Sequence, residues 1–155
     1  MNKEEIETAL SKIVHGVCII TTKFEGRVNG MTAAWVMRAS FVPPIVVVSI
    51  GKSRYTHELI QKAKVFAVNI LDSSCIELAK RFGFYSGKEF NKFEQVEWIE
   101  GKTGSPILTQ SCAFLDCELV STHPAGDHTL FVGKVIDGRV NKDTNPLIYH
   151  RDDFY

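Results

Sequence analysis

Residues 45–50 read IVVVSI and follow directly on two prolines at 43 and 44. Four consecutive β-branched side chains are stiff at χ1 and favour extended backbone, so the run reads as a strand. It is apolar continuously rather than at alternate positions, which is the pattern of a strand covered on both faces. A chain carrying such a strand must supply other elements to cover it. At 155 residues, a single core within one domain, residues 1–155, can do so. The longest apolar run, PPIVVVSI, falls far short of the ~20 residues a membrane-spanning helix needs.

The remaining segments are mostly short strands. GVCIITTKF reads as one, with Glu25 and Gly26 as a turn into a second strand from about Arg27. VFAVNIL, VEWIE, SCAFLDCELVS and HTLFVGKVIDGRV are others, the last two forming a hairpin around THPAGD. Three helices are expected. Residues 3–13 place Ile6, Leu10 and Ile13 on one face, with Asn2 and Glu5 positioned to cap. SRYTHELIQKA is a short helix with Ser53 as its cap, and SSCIELAKRF opens with a capping box from Ser74 to Glu77. Residues 83–92 read as a long loop. No repeat or low-complexity tract occurs, and many short strands in one unit point to a barrel.

Composition excludes several classes of function. The 18 basic and 18 acidic side chains balance, so nothing draws the chain generally to nucleic acid or to an acidic membrane. MNKEEIETALSKIV lacks the apolar core of a signal peptide, which makes the cytoplasm the default location. Cys18, Cys75, Cys112 and Cys117 are too sparse for a disulfide scaffold and read as reduced thiols. Cys112, Cys117, His123 and His128 imitate a zinc site, but a finger needs about twelve residues between its Cys and His pairs. The gap here is much shorter, and no metal is expected. The chain has no GxGxxG, GxSxG or HExxH. Gly51-Lys52-Ser53 is not a phosphate loop, because Val46 stands where that motif requires glycine. Any chemistry therefore falls to a bound cofactor.

Three stretches are candidates for holding one. Lys52, Ser53, Arg54 and Thr56 lie at a strand-to-helix junction, where free amides and the helix dipole favour an anion; the alternative is an ordinary capped helix. In NGMTAAWVMRAS, residues 29–40, the small side chains of Thr32, Ala33 and Ala34 would let a flat ring approach the main chain. The alternative is a packed β-segment. His128, at the hairpin tip, is a candidate proton donor or hydrogen-bond partner, the alternative being a turn histidine paired with Asp127.

Taken in order, VNGMTAAWVMRASFVPPIVVVSI, FAVNIL, LAKRFGFYSGKEFNKF, TGSPIL, GDHTLFVGKV and PLIYHRDDFY resemble the flavin reductase-like family over nearly the whole chain. The resemblance implies a mainly β fold, a six-stranded antiparallel split β-barrel of Greek-key type with short flanking helices. It also implies a homodimer with FMN near the subunit interface. By position, Thr32, Ala33, Ala34 and Trp35 would border the isoalloxazine. Ser40, Ser49, Lys52, Ser53, Arg54 and Thr56 would lie at the ribityl and phosphate end. His128 would sit where a nicotinamide stacks, while Phe82, Gly83 and the SGKEFNKF loop would cover the site. Tyr149 and Arg151 would approach from the C-terminal segment. Ala34, Val42 and the residue after Arg151 depart from the family pattern. The function implied is an NAD(P)H-dependent flavin oxidoreductase serving free flavin use, ferric iron or a partner protein. Two alternatives are a flavoredoxin-like FMN electron carrier reduced by another protein, and a flavin-storing domain without turnover. The choice between NADH and NADPH stays open.

Overall fold

A computed structural model describes all 155 residues. The elements are α1 (Lys3–Leu10), β1 (Cys18–Phe24), β2 (Arg27–Ala33), β3 (Val36–Ser40), β4 (Ile45–Gly51), α2 (Tyr55–Ala63), β5 (Val65–Ile70), α3 (Ile76–Phe84), β6 (Trp98–Glu100), β7 (Pro106–Leu108), β8 (Ala113–Ala125) and β9 (His128–Val140). All strand pairs are antiparallel. The main sheet has seven strands, in the order β2-β1-β5-β8-β9-β4-β3, and β6 pairs separately with β7. The barrel architecture is therefore as expected, with one strand more than the six anticipated. The difference arises in residues 29–40: β2 ends at Ala33, and after Ala34 and Trp35 the chain starts a second strand, β3, along the free edge of β4.

The turns follow from their residues. Glu25 (φ 49°) and Gly26 (φ 80°) both adopt positive φ, as a tight β1–β2 hairpin requires. The β8–β9 hairpin is longer than expected, since THPA continues β8 and only Gly126 and Asp127 turn the chain. Two register shifts, at Asp116/Cys117 and Leu119/Ser121, bend this ribbon. Its two strands then serve different neighbours: β8 pairs with β5 over residues 113–118, whereas β9 pairs with β4 over residues 128–134. The offset coils the sheet around one core that includes Ile20, Val48, Ile50, Phe66, Val68 and Phe131.

The strands buried on both faces are β1 and β5, not β4. Along β4, Val46, Val48 and Ile50 are buried while Ile45, Val47 and Ser49 are half-buried. In β1, Ile20 faces the barrel core and Ile19 faces a second cluster containing Leu71, Ala79, Phe82 and Leu108. α3 and the C-terminal segment cover that second face, whereas nothing in the chain covers the outer face of β4 to the same extent.

Helix ends depart from expectation in an instructive way. Asn2 caps α1 as anticipated, its Oδ1 accepting from Glu5 N at 3.0 Å, but the helix ends at Leu10 and buries no residue. Ser53 does not cap α2; Arg54 occupies the cap position, and no side chain accepts from the first amides. Before α3, Asp72 takes the role assigned to Ser74, its Oδ1 accepting from Ser74 N at 3.0 Å at the head of a 3-10 turn, Ser73–Cys75.

Asp72 also fastens the C-terminal segment. Its buried carboxylate accepts from Ser74 Oγ at 2.5 Å and Thr144 Oγ1 at 2.8 Å, and pairs with Lys142 Nζ at 3.2 Å. Leu147 N donates to Leu71 O and Tyr149 N to His15 O, so the segment lies across the adjoining ends of β1 and β5. The hydrogen bonds from Ser74 and Thr144 hold the Asp72 carboxyl well below the usual carboxylate range. Its folded-state pKa is depressed, so its stabilisation is present above ~4 and is lost as pH falls below that value.

Two stability predictions follow from this packing. A Cβ at Gly133 would lie 2.4 Å from Phe66 Cζ and 3.0 Å from Cys117 Cβ, both in fully buried side chains. Gly133→Ala should therefore destabilise the fold by about 1–3 kcal/mol, read as a drop in Tm of about 2–4 °C for each kcal/mol. An unchanged Tm would show that the core yields there freely. Asp72→Asn should lower Tm by several degrees at pH 7, and the gap to the native protein should narrow in melts taken below pH ~4. A constant gap across that range would mean that the charge of Asp72 contributes nothing.

Candidate functional site

A cavity of about 510 Å³ opens where β2, β4, β9, α3 and the C-terminal segment converge. Its floor is the end of β2 and the residue beyond it: Met31, Thr32, Ala33 and Ala34. Small side chains there bring the main chain to the cavity surface. Thr32 Oγ1 donates to Ala79 O at 2.5 Å, which fixes the floor against α3. From α3, Ala79 and Gly83 line the cavity, one helical turn apart on a single face.

The opposite wall comes from the paired strands β4 and β9. Ser49 and Gly51 line it, and Gly51 pairs with His128. A Cβ at Gly51 would lie 3.6 Å from Arg54 Cγ and 3.9 Å from His128 Nε2, so glycine keeps the space between those two side chains open. His128 Nδ1 lies 2.6 Å from Asp127 Oδ1, and this hydrogen bond holds the Asp127 carboxyl below its ordinary range. With Nδ1 engaged, Nε2 is the ring nitrogen left for a ligand. His128 is thus both a turn histidine paired with Asp127 and a cavity residue. Trp35 lies at the rim, 52% exposed, with its ring 4.8 Å from that of His128 and 6.4 Å from that of His15. Tyr149 and Phe154 stack at 5.5 Å and approach from the C-terminal segment, and Tyr155 packs 5.7 Å from Phe84.

At its deep end the cavity adjoins a recess of about 230 Å³, sharing Ser53, Arg54, Gly83 and Phe84 with it. Arg54 is half-buried; burial lowers its pKa, and its guanidinium donates to Phe82 O at 3.5 Å. Lys92 is 2% exposed and donates to Gly30 O at 2.9 Å and Phe82 O at 3.0 Å. An ammonium has three donors, and the third finds no protein acceptor. Burial, and next the nearby Arg54 charge, push the Lys92 pKa down to about 8. Tyr55 and Thr56, at the uncapped start of α2, line the same recess. No side chain caps the helix, so the junction presents bare amides beside two cations, an arrangement that could hold an anion.

Ten of the expected site residues line the cavity: Thr32, Ala33, Ala34, Trp35, Ser49, Ser53, Arg54, Gly83, His128 and Tyr149. Thr56 lines the recess, its Oγ1 accepting from Asn29 Nδ2 at 2.9 Å. Four lie outside both. Ser40 is at the far end of β3, opposite Ile45. Lys52 is exposed, with only its amide engaged, to Asp127 O. Phe82 is fully buried and packs where a Cβ on Gly30 would meet its ring at 3.1 Å, so its neighbour Phe84 takes the covering position. Arg151 is exposed and lies over the Tyr155 ring at 5.6 Å.

Sequence reading missed His15, Val17, Met31, Gly51, Ala79, Phe84, Phe154 and Tyr155 as lining residues. The Ala79/Gly83 spacing was a signal that could have been used. A larger cleft of about 920 Å³ lies behind Phe84. Its cations are already engaged, Lys80 with Glu77 and Arg81 with the carbonyls of Asn91, Lys92 and Glu94, so it lacks the convergent free donors of the first site.

Comparison with known proteins gives a consistent result. Residues 10–155 match the family model for a flavin reductase like domain. The chain is 36% identical over 143 residues to a ferric-chelate reductase (NAD(P)H) of Archaeoglobus fulgidus, covering 91% of this chain and 85% of that protein. It is 36% identical to the high molecular weight rubredoxin of Moorella thermoacetica over 91% of its own length, but spans only 62% of that protein. Among solved structures, the flavin reductase HpaC complexed with NADP+ superposes with a TM-score of 0.85 at 33% identity, covering 99% of this chain and 97% of that one.

Proposed function

The chain belongs to the flavin reductase-like family, and from that premise we propose that it is an NAD(P)H-dependent flavin oxidoreductase holding FMN in the cavity beneath Trp35. The observation that carries this reading is the junction of a small-residue floor with a recess where a buried ammonium keeps one N–H unpaired beside Arg54. A flat apolar ring and a phosphate on one molecule match that pair of environments. When bound, FMN would supply the acceptance of a hydride from nicotinamide and its onward release as electrons.

The protein's own part is positional and electrostatic. Thr32, Ala33 and Ala34 would present main-chain groups to the ring edge. Arg54, Lys92 and the amides of Tyr55 and Thr56 would hold the phosphate. His128, anchored through Nδ1 by Asp127, would use Nε2 to orient the nicotinamide or hold a proton beside the ring. Trp35 and the C-terminal aromatics would restrict water.

Further support comes from what the relatives are called: one is an NAD(P)H ferric-chelate reductase, and one was solved with NADP+. The same reading includes a homodimer in the cytoplasm. Trp35, Met37, Phe41 and Val42 leave an apolar surface at the edge strand β3, and α1 with the turn after it exposes Ile6, Leu10 and Ile13. Reduced flavin use, ferric iron or a partner protein would take the electrons. A second reading, an FMN electron-transfer module reduced by another protein, is favoured by the match to part of a rubredoxin-named protein.

Anaerobic addition of NADH or NADPH to the FMN-loaded protein separates the two. Rapid bleaching of the flavin absorbance is expected; bleaching by dithionite alone would favour the carrier, and failure to bind FMN would sink both. His128→Ala should slow the bleaching by up to about 100-fold while FMN stays bound. Loss of FMN with an unchanged rate per bound flavin would remove His128 from that role.

FMN affinity should also depend on pH through Lys92. An anion beside the ammonium favours its charged form, which the free protein loses as pH rises through about 8. FMN binding above that pH must therefore take up a proton, and affinity should fall by up to about tenfold per pH unit. Fluorescence titrations between pH 7 and 9.5 should show this for FMN and not for riboflavin, which lacks the phosphate. Equal slopes for the two ligands would exclude Lys92 from the phosphate site.

A further inference from the structure

The groups that hold the His128 ring are themselves loosely anchored. Asp127, whose carboxylate meets His128 Nδ1, is exposed and stands in the turn beside Gly126 (φ 63°). Trp35, the other neighbour of the ring, is more than half exposed. A side chain that must meet a substrate to within about 0.5 Å needs a stiffer support than these. That support lies on the other face of the same strand. Successive residues of β9 point to opposite faces, so Thr129 turns into the barrel where His128 turns toward the cavity. Thr129 is buried, and its Oγ1 shares a hydrogen bond of 2.7 Å with Nε2 of His57 on α2. The His57 ring also meets Phe131, the next residue on that inner face, edge to face with ring centres 5.0 Å apart. His57 therefore grips two successive inward side chains of β9 at the end from which His128 projects.

Packing alone does not call for a histidine at this place. Phenylalanine would fill the space and keep the contact with Phe131, and valine would replace Thr129 without burying a hydroxyl. What the polar pair adds is one directional bond, made by two buried side chains that bond only to each other. Burial, and next the Lys52 charge, lower the His57 pKa, so the ring is neutral, with one nitrogen to donate and one to accept. Such pairs fix geometry more than they add stability, because desolvation offsets most of their bond. α2 reaches both ends of the site: its first two residues line the phosphate recess, and its third holds the strand of His128.

Resting on the flavin reading above, we propose that His57 is a positioning residue for nicotinamide oxidation. Through Thr129 it fixes the start of β9, and so the direction in which His128 presents Nε2 to the cavity. Neither His57 nor Thr129 lines the cavity or the recess, so the pair acts on the reaction only through His128. Loss of their bond leaves the flavin seated and loosens the group that meets the nicotinamide.

The test is anaerobic reduction of the FMN-loaded whole chain by saturating NADH or NADPH, followed as loss of flavin absorbance. His57→Phe and Thr129→Val should each slow the bleaching by roughly tenfold. Dithionite should still bleach the flavin fully, and FMN affinity should stay within about twofold, as for groups that share no contact with the ligand. Thr129→Val removes the bond with little change of volume, so the test stands should His57→Phe fail to fold. Thr129→Ser keeps the hydroxyl and should restore most of the rate. The sharpest comparison is made in a His128→Ala background, where adding Thr129→Val should slow the reaction no further, because the bond acts through His128. Equal slowing in both backgrounds would overturn the proposal, as would a lower Tm and weaker FMN binding with an unchanged rate per bound flavin. A slow His128→Ala beside a Thr129→Val that keeps the native rate would sink this inference and leave the flavin reading intact. If His128→Ala itself bleaches at the native rate, the role assigned to His128 falls and this inference falls with it.

Discussion

The offset pairing of the β8–β9 hairpin is the constraint from which the rest of the molecule follows. One long ribbon sits in the middle of the sheet, holding β5 at its open end and β4 at its turn end. Two register shifts and the glycine at 133 let it bend over Phe66, and that bend turns a sheet into a barrel. Had β5 and β4 paired along the same half of the ribbon, the sheet would be flatter, and the strands carrying the site would not approach one another. The turn also sets the start of β9, so His128 lies opposite Gly51 by register rather than by any contact of its own.

The site is a by-product of closure on one side and of fastening on the other. Closure brings the end of β4 toward the end of β2, leaving a gap between small residues that neither strand can fill. Fastening comes from Asp72, which draws residues 142–147 onto the outer cluster and so delivers Tyr149, Phe154 and Tyr155 to the open side. The roof is a chain segment held by hydrogen bonds and an ion pair, whereas the floor is the end of β2, which pairs with β1 along its whole length. Segments of the former kind open more readily than core strands do, so entry and exit of a ligand are expected on the C-terminal side.

What could be read from the sequence divides along the same line. Local patterns carried through: the Glu25–Gly26 turn, the Asn2 cap and the small floor residues each depend on neighbours within a few positions. Long-range registry did not. IVVVSI reads as buried on both sides because its composition is uniform, yet which face is covered depends on where α3 and residues 142–155 land, and they land on β1. Ser53 has the right chemistry for a cap, but it lies in the turn between β4 and α2, one residue too early, so Arg54 takes the position. Phe82 and Phe84 cannot be distinguished by type; helical phase puts one in the core and the other at the cavity. Lys92 is the clearest case. In the sequence it is one lysine in a loop named only as a cover, and nothing nearby marks it as buried.

Burying that ammonium beside Arg54 is unfavourable by itself, since desolvation and like-charge proximity both lower its pKa. The fold offsets this with carbonyls: Phe82 O, in the last turn of α3, accepts from both Lys92 and Arg54, and Gly30 O accepts from Lys92. Last-turn carbonyls have no partner within their own helix and lie at the negative end of its dipole. The C-terminus of α3 thus holds two cations together, while the N-terminus of α2 supplies amides on the other side of the same recess. Each helix end leaves part of its need unmet: the cations retain a free donor, and the amides lack a capping acceptor. A single multivalent anion between them would satisfy both, and it is this pairing of unmet donors on which the proposed phosphate site rests.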